Sequence, residues 1–499
     1  MPKSASIGHG LVTNPDNFWT SLKRMSDQYV HLCIRVAGAA DSKFAAFGKL
    51  SDFCQMIGVD MPELSESVSV EGAVQRLVSE HWWRRVLRRK FMYELESQAI
   101  IESRVSLYKS IYVSSEGLGL HRNQKARNRR LLEHLRAVNE EGEEYSLAEL
   151  ADTSVANPEN RRNELMCRIA GFENYANELG HVGLFWTITC PSRMHSTSSL
   201  SGEPNPKFDG TTPDQAQAYL CGLWACIRSK FQRMGLQPYG FRVVEPQHDG
   251  TPHWHVLVFL PLDQHDAATS VVREYALRED GSESGADRHR FKVETIDPEK
   301  GSAAGYIAKY ISKNIDGYMV DSDLYGQDAK DSAERVTAWA SIWNIRQFQQ
   351  IGGPPVSVWR ELRRVKSLSD DEQPLEPAWR AADSGDWCAF IHAMGGVSCG
   401  RGNYTVNLNK VWSDEENQYG DPIGWIVNGV LSSGVCVVSR IHEWRIDEVK
   451  PGSFLAERAT AGPALLRGCG GAERPWSPVN NCTGAEQWES VRPPPNPVF

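Results

Sequence analysis

"GTPHWHVLVFL", residues 250–260, sets two histidines one residue apart at the head of an apolar run with the character of a buried β-strand. Successive side chains of a strand point to opposite faces, so His253 and His255 share one face while Trp254 and Val256 share the other. Two imidazoles are thereby aimed at one point, as ligands of a metal ion must be. The competing reading is a pair of polar strand residues facing water. Upstream, "YGFRVVE" (Tyr239–Glu245) also has strand character, and "PQHDGTP" joins the two runs with an Asp249-Gly250 pair suited to an antiparallel hairpin. Such a hairpin brings Glu245 toward the two histidines as a third ligand, with His248 in the loop as its rival. Two imidazoles and a carboxylate leave positions open for a substrate oxygen. Zinc suits the ligands, but Mg²⁺ or Mn²⁺ better suits polarising a phosphate, and Mn²⁺ tolerates imidazole more readily.

The surrounding elements read as strand, helix, strand, strand, strand, helix. "GLFWTIT" (183–189) is a strand ending at "CPSRMH". "TTPDQAQAYLCGLWACIRSKFQRMG" is a helix with Thr212 as cap, Pro213 in the first turn and Gln215 completing a capping box. "FKVETID" (291–297) is a further strand and "GSAAGYIAKYISKN" (301–314) a helix. This order predicts an α+β domain, a central antiparallel sheet with helices packed on one face, over residues 181–365. Residues 1–180 read as a helical, partly basic N-terminal region, with a capping box at "SLAE" and a long helix from Asn157-Pro158 to Gly180. Residues 366–386 read as an acidic linker, 387–450 as a candidate small C-terminal domain, and 451–499 as a Pro-rich tail expected to be disordered.

Composition bounds the function. Across 499 residues, 41% are hydrophobic and 23% charged, which is ordinary for a soluble globular protein. No run of 18 or more apolar residues and no signal peptide is visible, so a cytoplasmic location is expected and a membrane is not. The eleven cysteines form no CxxC pair, which argues against a zinc ribbon. A net charge of -9 argues against indiscriminate coating of nucleic acid. Yet residues 81–136, including "RRVLRRK" and "RNQKARNRR", carry thirteen Lys and Arg against five acids. That excess suits a phosphate backbone, with Arg84, Arg85, Arg88, Arg89, Arg129 and Arg130 as candidates; the alternative is a solvated helix face.

The helix "GYIAKYISKN" bears on the chemistry. At 100° per residue, Tyr306, Lys309, Tyr310 and Lys313 cluster on one side, and Ala304, Ile307, Ala308 and Ile311 on the other. The first group is expected to face away from the apolar stripe, toward a cleft or solvent. Other HxH families fail on these residues. A cupin needs a Glu where Phe259 and Leu260 stand, a histidine-triad hydrolase a third alternating His where Leu257 stands, and a zinc deaminase an H-x-E with P-C-x-x-C.

Together, "FWTITCPSRMHS", "TPHWHVLVF" and "GYIAKYISKN" resemble, in order, the three motifs of the HUH endonucleases, and most closely those of the bacteriophage replication gene A proteins that start rolling-circle replication. "WNIRQFQQIGGPPVSVWRELRR", "RNRRLLEHL" and "ENRRNELMCRIAGFE" extend the likeness over roughly residues 80–365. The resemblance implies a metal-dependent DNA endonuclease that nicks and rejoins single-stranded or supercoiled origin DNA. It casts Tyr306 and Tyr310 as nucleophiles forming a 5′-phosphotyrosine, Lys309 as a stabiliser of phenolate charge, and His253, His255 and Glu245 as ligands of Mg²⁺ or Mn²⁺. Lys313 and Arg193 join the candidate DNA contacts. No P-loop is present, so a host helicase and a DNA polymerase are the expected partners. An HUH transposase and a non-catalytic origin-binding protein are the alternatives the residues leave open.

Overall fold

The computed structural model describes residues 15–448 apart from 298, 300, 318–327 and 401. The tail expected at 451–499 lies outside the described residues. Among the described residues eleven strands follow in chain order: β1 (Leu135–Asn139), β2 (Glu144–Ser146), β3 (Val182–Thr189), β4 (Tyr239–Pro246), β5 (Pro252–Leu260), β6 (Phe291–Thr295), β7 (Phe348–Ile351), β8 (Asn407–Glu416), β9 (Pro422–Ser432), β10 (Val435–Val438) and β11 (Trp444–Glu448). The central sheet has the order β6-β3-β5-β4-β7, antiparallel throughout. The protein is thus α+β. The β4-β5 hairpin pairs Glu245 with His253 and Val243 with His255. Gly250 turns it at φ +84°, with its carbonyl accepting from Trp339 Nε1 at 2.8 Å.

Helices cover both faces of this sheet, not one as the sequence suggested. On one face Trp186, Ile188, Val244, Trp254, Val256 and Val258 pack against Leu220, Trp224 and Ile227 of the helix Pro213–Met234 and against Val271 and Val272 of the helix His265–Ala276. On the other, Phe185, Phe241, Val243, Leu257 and Phe259 meet Leu165, Ile169 and Phe172 of the helix Pro158–Leu179 and Ile307 and Ile311 of the helix Ala303–Ile315. The reason lies in "VLVFL" itself. An unbroken apolar run is what a strand covered on both sides carries, whereas a half-exposed strand alternates.

The capping signals are met by geometry. Ser146 and Glu149 form a capping box, as do Thr212 and Gln215, Asn157 caps the helix from Pro158, and Gly180 ends it in the left-handed conformation at φ +66°. The N-terminal region is helical, as expected, with the short strands β1 and β2 set between its helices, and its last long helix packs beneath the central sheet.

The C-terminal part departs further from expectation. The stretch 366–386 is no linker: a 3₁₀ turn (Asp370–Leu375) leads into the helix Glu376–Ser384, and Leu375, Ala378, Ala381 and Ala382 are buried. The acidic run "DDE" occupies a first turn, where the helix dipole favours negative charge. Residues 387–448 are likewise not set apart. Trp387 lies 5.0 Å, ring to ring, from Trp359, and a Cβ added to Gly171 would stand 2.4 Å from the Trp387 Cβ. β11 pairs antiparallel with β1, and Asp421 in the β8-β9 turn accepts from Ser69 N (2.9 Å) and Oγ (2.7 Å) and pairs with Arg76. Among the described residues no helix is long and apolar enough to cross a membrane.

One buried acid gives the N-terminal helices a pH dependence. Glu96, fully buried on the helix Glu80–Ile101, accepts from Ser114 N at 3.1 Å and from Ser114 Oγ. Burial pushes its carboxyl up to about 7 against the opposing pull of those hydrogen bonds. The raised value means its contribution is complete below the ordinary carboxyl pKa of 4.5 and is lost as pH rises toward 7. Glu96→Gln is therefore expected to match the wild type at pH 5 and to exceed it by roughly 2 kcal/mol at pH 8 in denaturant unfolding. Equal pH dependence in the two proteins would remove Glu96 from this role.

Candidate active site

The histidine face of β5 lies beneath the helix Ala303–Ile315, and its residues meet there. The rings of His253 and His255 stand 4.8 Å apart, centroid to centroid. His255 Nε2 lies 3.3 Å from Glu245 Oε2, so the third candidate ligand reaches the pair directly. His248, the rival, instead has Asp249 and His195 as charged neighbours. Two threonines of β3 fix the imidazoles: Thr189 Oγ1 contacts His253 Nδ1 at 3.1 Å and Thr187 Oγ1 contacts His255 Nδ1 at 3.4 Å. With Nδ1 of each ring held by a threonine and Nε2 of His255 turned to Glu245, the rings are oriented as outer partners orient metal-binding histidines.

Charge follows from burial. Desolvation, reinforced by the neighbouring His255, holds the His253 pKa well below its usual value, so the ring is neutral at physiological pH, the form that ligates metals. Glu245 is 3% exposed. Burial pushes its carboxyl up, but Lys313, then His255 and His253, outweigh this and hold it at about 2. Lys313 Nζ stands 3.6 Å from Glu245 Oε2, and Asn314 Nδ2 donates to Oε1 at 2.5 Å. Two imidazoles and a carboxylate are a mixed nitrogen and oxygen donor set, the type that suits a borderline divalent cation more than a hard one. Two neighbouring ligands at ~2.1 Å from an octahedral ion lie about 3 Å apart, close to the Glu245-His255 spacing.

The tyrosine helix is held at both ends. Glu173, from the helix beneath the sheet, accepts from Ala303 N (2.7 Å) and Ala304 N (3.0 Å), and Ser302 caps Gly305 N at 3.0 Å. Near its C-terminus Asp316 pairs with Arg162. Of the two surroundings expected for its polar side, a cleft or solvent, most of that side meets the histidine cluster. The Tyr310 ring packs 4.0 Å from that of His255 and 5.4 Å from that of Phe185, Tyr306 is half-buried against the same core, and Lys313 is buried beside Glu245. Only Lys309 is exposed, its Nζ 5.0 Å from the Tyr310 ring centre. Burial, with the nearby Glu245 and Glu294 carboxylates, raises the Tyr310 phenol well above its usual pKa.

A second pair adjoins the site. Asp249, fully buried, faces His195 Nδ1 at 3.2 Å and accepts from Ser196 N and Thr251 N at 3.0 Å each. His195 lies near enough to His253 for its charge to act on that ring. Sequence reading passed over His195, Asp249, Thr187, Thr189, Glu173 and Asn314. All six stand inside the quoted stretches or the hairpin loop, where a polar residue on a buried strand, turn or helix is the available signal.

The proposed DNA contacts divide. Arg193 is held by Asp209 (2.6 Å), Glu279 (3.1 Å) and Asp280 (3.0 Å), Arg129 by Asp152 and Glu133, and Arg84 by Glu80, while Lys313 is buried in the site. Arg85, Arg89 and Arg130 are exposed and Arg88 half-buried, with no carboxylate within ion-pair distance among the described residues.

Residues 22–318 match the family described as the bacteriophage replication gene A protein. The chain is 42% identical over 429 residues to the replication gene A protein of Escherichia phage 186, covering 83% of this chain and 60% of the phage protein. It is 39% identical over 448 residues to that of Escherichia phage P2 (85% and 57%), and 34% identical over 437 residues to a probable replication endonuclease from a prophage-like region of Salmonella typhi (84% and 53%). It thus spans little more than half the length of these relatives. No solved structure matches it. With a family match across most of the central sheet and both tyrosines, the chain belongs to the bacteriophage replication gene A protein family.

Proposed function

We propose that this protein initiates rolling-circle replication of phage DNA by nicking one origin strand through a tyrosine nucleophile and later rejoining the strand. The observation that carries the reading is the ring contact of Tyr310 with His255, with Tyr306 one helical turn away and Glu245 completing the cluster. The phenol oxygen attacks the scissile phosphorus, the bond from phosphorus to the 3′-oxygen breaks, and the released oxygen takes a proton. The products are a 5′-phosphotyrosine and a free 3′-hydroxyl. Because the linkage conserves the phosphodiester bond, attack by a 3′-hydroxyl restores the strand and frees the phenol.

His253, His255 and Glu245 would hold Mg²⁺ or Mn²⁺, which supplies Lewis-acid polarisation of a non-bridging phosphate oxygen. Lys309 is placed to offset phenolate charge, which the burial of Tyr310 otherwise opposes. Lys313 keeps Glu245 ionised, and Thr187 and Thr189 hold the imidazoles in register. The reading places the protein in the host cytoplasm with a host helicase and a DNA polymerase as partners, since the free 3′-hydroxyl is a primer. Incubation with end-labelled strands from the flanking genome tests it. The expected outcome is cleavage at one position with the 5′ fragment end retained on protein; absence of cleavage on every strand contradicts it.

A further inference from the structure

We infer that a cleft between the helices Pro15–Gly38, Glu80–Ile101 and Ser115–His134 binds the phosphodiester backbone of DNA at a site separate from the tyrosine helix. This rests on the DNA-cleaving reading above and adds where the strand beyond the cleavage point is held. The cleft has a volume of about 530 Å³, and Lys23, Arg84, Arg85, Arg88 and Arg127 surround Trp19 in its wall. Among the described residues, the one acid that pairs with the group is Glu80, on Arg84. Among the described residues no carboxylate lies within 4.0 Å of Lys23, Arg85, Arg88 or Arg127.

The helix Glu80–Ile101 shows why the cluster is not a side effect of packing. Its opposite face buries Trp82, Trp83, Leu87 and Phe91, so positions 84, 85 and 88 are free to carry any polar residue. Like charges at these spacings destabilise a helix. Arg88 is lowered in pKa by burial and by its neighbours Arg89 and Arg85, so the fold holds these cations together against repulsion. Lys90 and Arg129 on the same helices are, by contrast, paired with Glu94 and Glu133. A regularly spaced polyanion supplies what the cleft lacks. Positions 81 to 88 span about 10 Å of helix, roughly three nucleotides of one strand at ~3.4 Å per charge. Trp19, with Arg127 5.3 Å over its ring, offers a surface on which an unpaired base stacks.

The test uses the full chain and fluorescence anisotropy on a labelled single strand and a labelled duplex of one arbitrary sequence, across a range of salt. The variant Arg85→Ala/Arg88→Ala/Arg127→Ala is expected to bind at least about tenfold more weakly, with the slope of log affinity against log salt smaller by about 2 to 3, since each lost phosphate contact removes roughly 0.7–0.9. Which of the two DNAs shows the loss tells whether the cleft holds strand or duplex. The unfolding temperature of this variant is expected to match that of the wild type. A control variant, Arg228→Ala/Lys230→Ala/Arg233→Ala, removes the same charge from another helix and should leave the slope intact. Equal losses in control and cleft variants, or an unchanged slope in the cleft variant while the wild type binds and nicks, overturn the inference and leave the cleavage reading standing. A wild type that neither binds nor nicks DNA overturns both.

Discussion

The double variant Tyr306→Phe/Tyr310→Phe is expected to form no covalent adduct with an origin strand, a loss on the order of 10⁴-fold or more in cleavage rate. Phenylalanine keeps the ring contacts of Tyr310 with His255 and Phe185 and removes the nucleophilic oxygen alone, so the fold is retained and the chemistry is not. The single variants separate the roles. Both tyrosines lie on the helix Ala303–Ile315, one turn apart on the same side, and Tyr310 is in ring contact with His255. Each single variant should cleave a short origin oligonucleotide to some degree, while at least one should fail to release a closed circle. If one single variant is inert and the other competent through circle release, one tyrosine suffices and the two-nucleophile cycle is wrong. An adduct persisting in the double variant would remove both residues from the mechanism.

His255→Ala should cost on the order of 10³-fold in nicking, and EDTA should inactivate the wild type to the same extent, because polarisation of the phosphate is a several kcal/mol effect. His255 is also a packing partner of Tyr310, so unfolding temperature must be followed beside activity. Thr189→Val separates metal binding from packing. It keeps the volume and removes the hydroxyl that contacts His253 Nδ1, and outer partners of this kind are worth about 10- to 100-fold in metal affinity. The expected result is a higher Mn²⁺ concentration for half-maximal nicking with a normal rate at saturation. Full nicking in EDTA would exclude a metal. Glu245→Gln should weaken metal binding too, whereas damage from His248→Ala with Glu245→Gln intact would mean the third ligand was misassigned.

What could be read in the sequence was what is local. Alternation along "HWHVLVF" puts two histidines on one face whatever surrounds the strand, and the 3.6-residue period aligns Tyr306 with Tyr310. Cap residues mark helix ends for the same reason. Long-range partnerships carried no such signal. Glu173 is 130 residues from the amide it accepts from, and Thr187 meets His255 only because β3 pairs with β5. The tyrosine helix shows the limit of periodicity. Periodicity separates its polar side from its apolar stripe but leaves open whether that side meets a cleft or solvent, and it packs over another polar cluster, where Lys313 pairs with Glu245. The acidic run at 370–372 misled: a charged stretch followed by Pro and Ala is a helix start when Leu375, Ala378 and Ala382 have a core to enter.

The central claim is that a tyrosine of the helix over the histidine face becomes joined to DNA. Protein incubated with its origin strand and Mn²⁺, digested with protease and analysed by mass spectrometry, should yield a DNA-linked peptide carrying the 5′-phosphate on Tyr306 or Tyr310, with a free 3′-hydroxyl on the complementary fragment. A cleaved strand whose 5′-phosphate is free in solution, or is attached to any other residue, would contradict it.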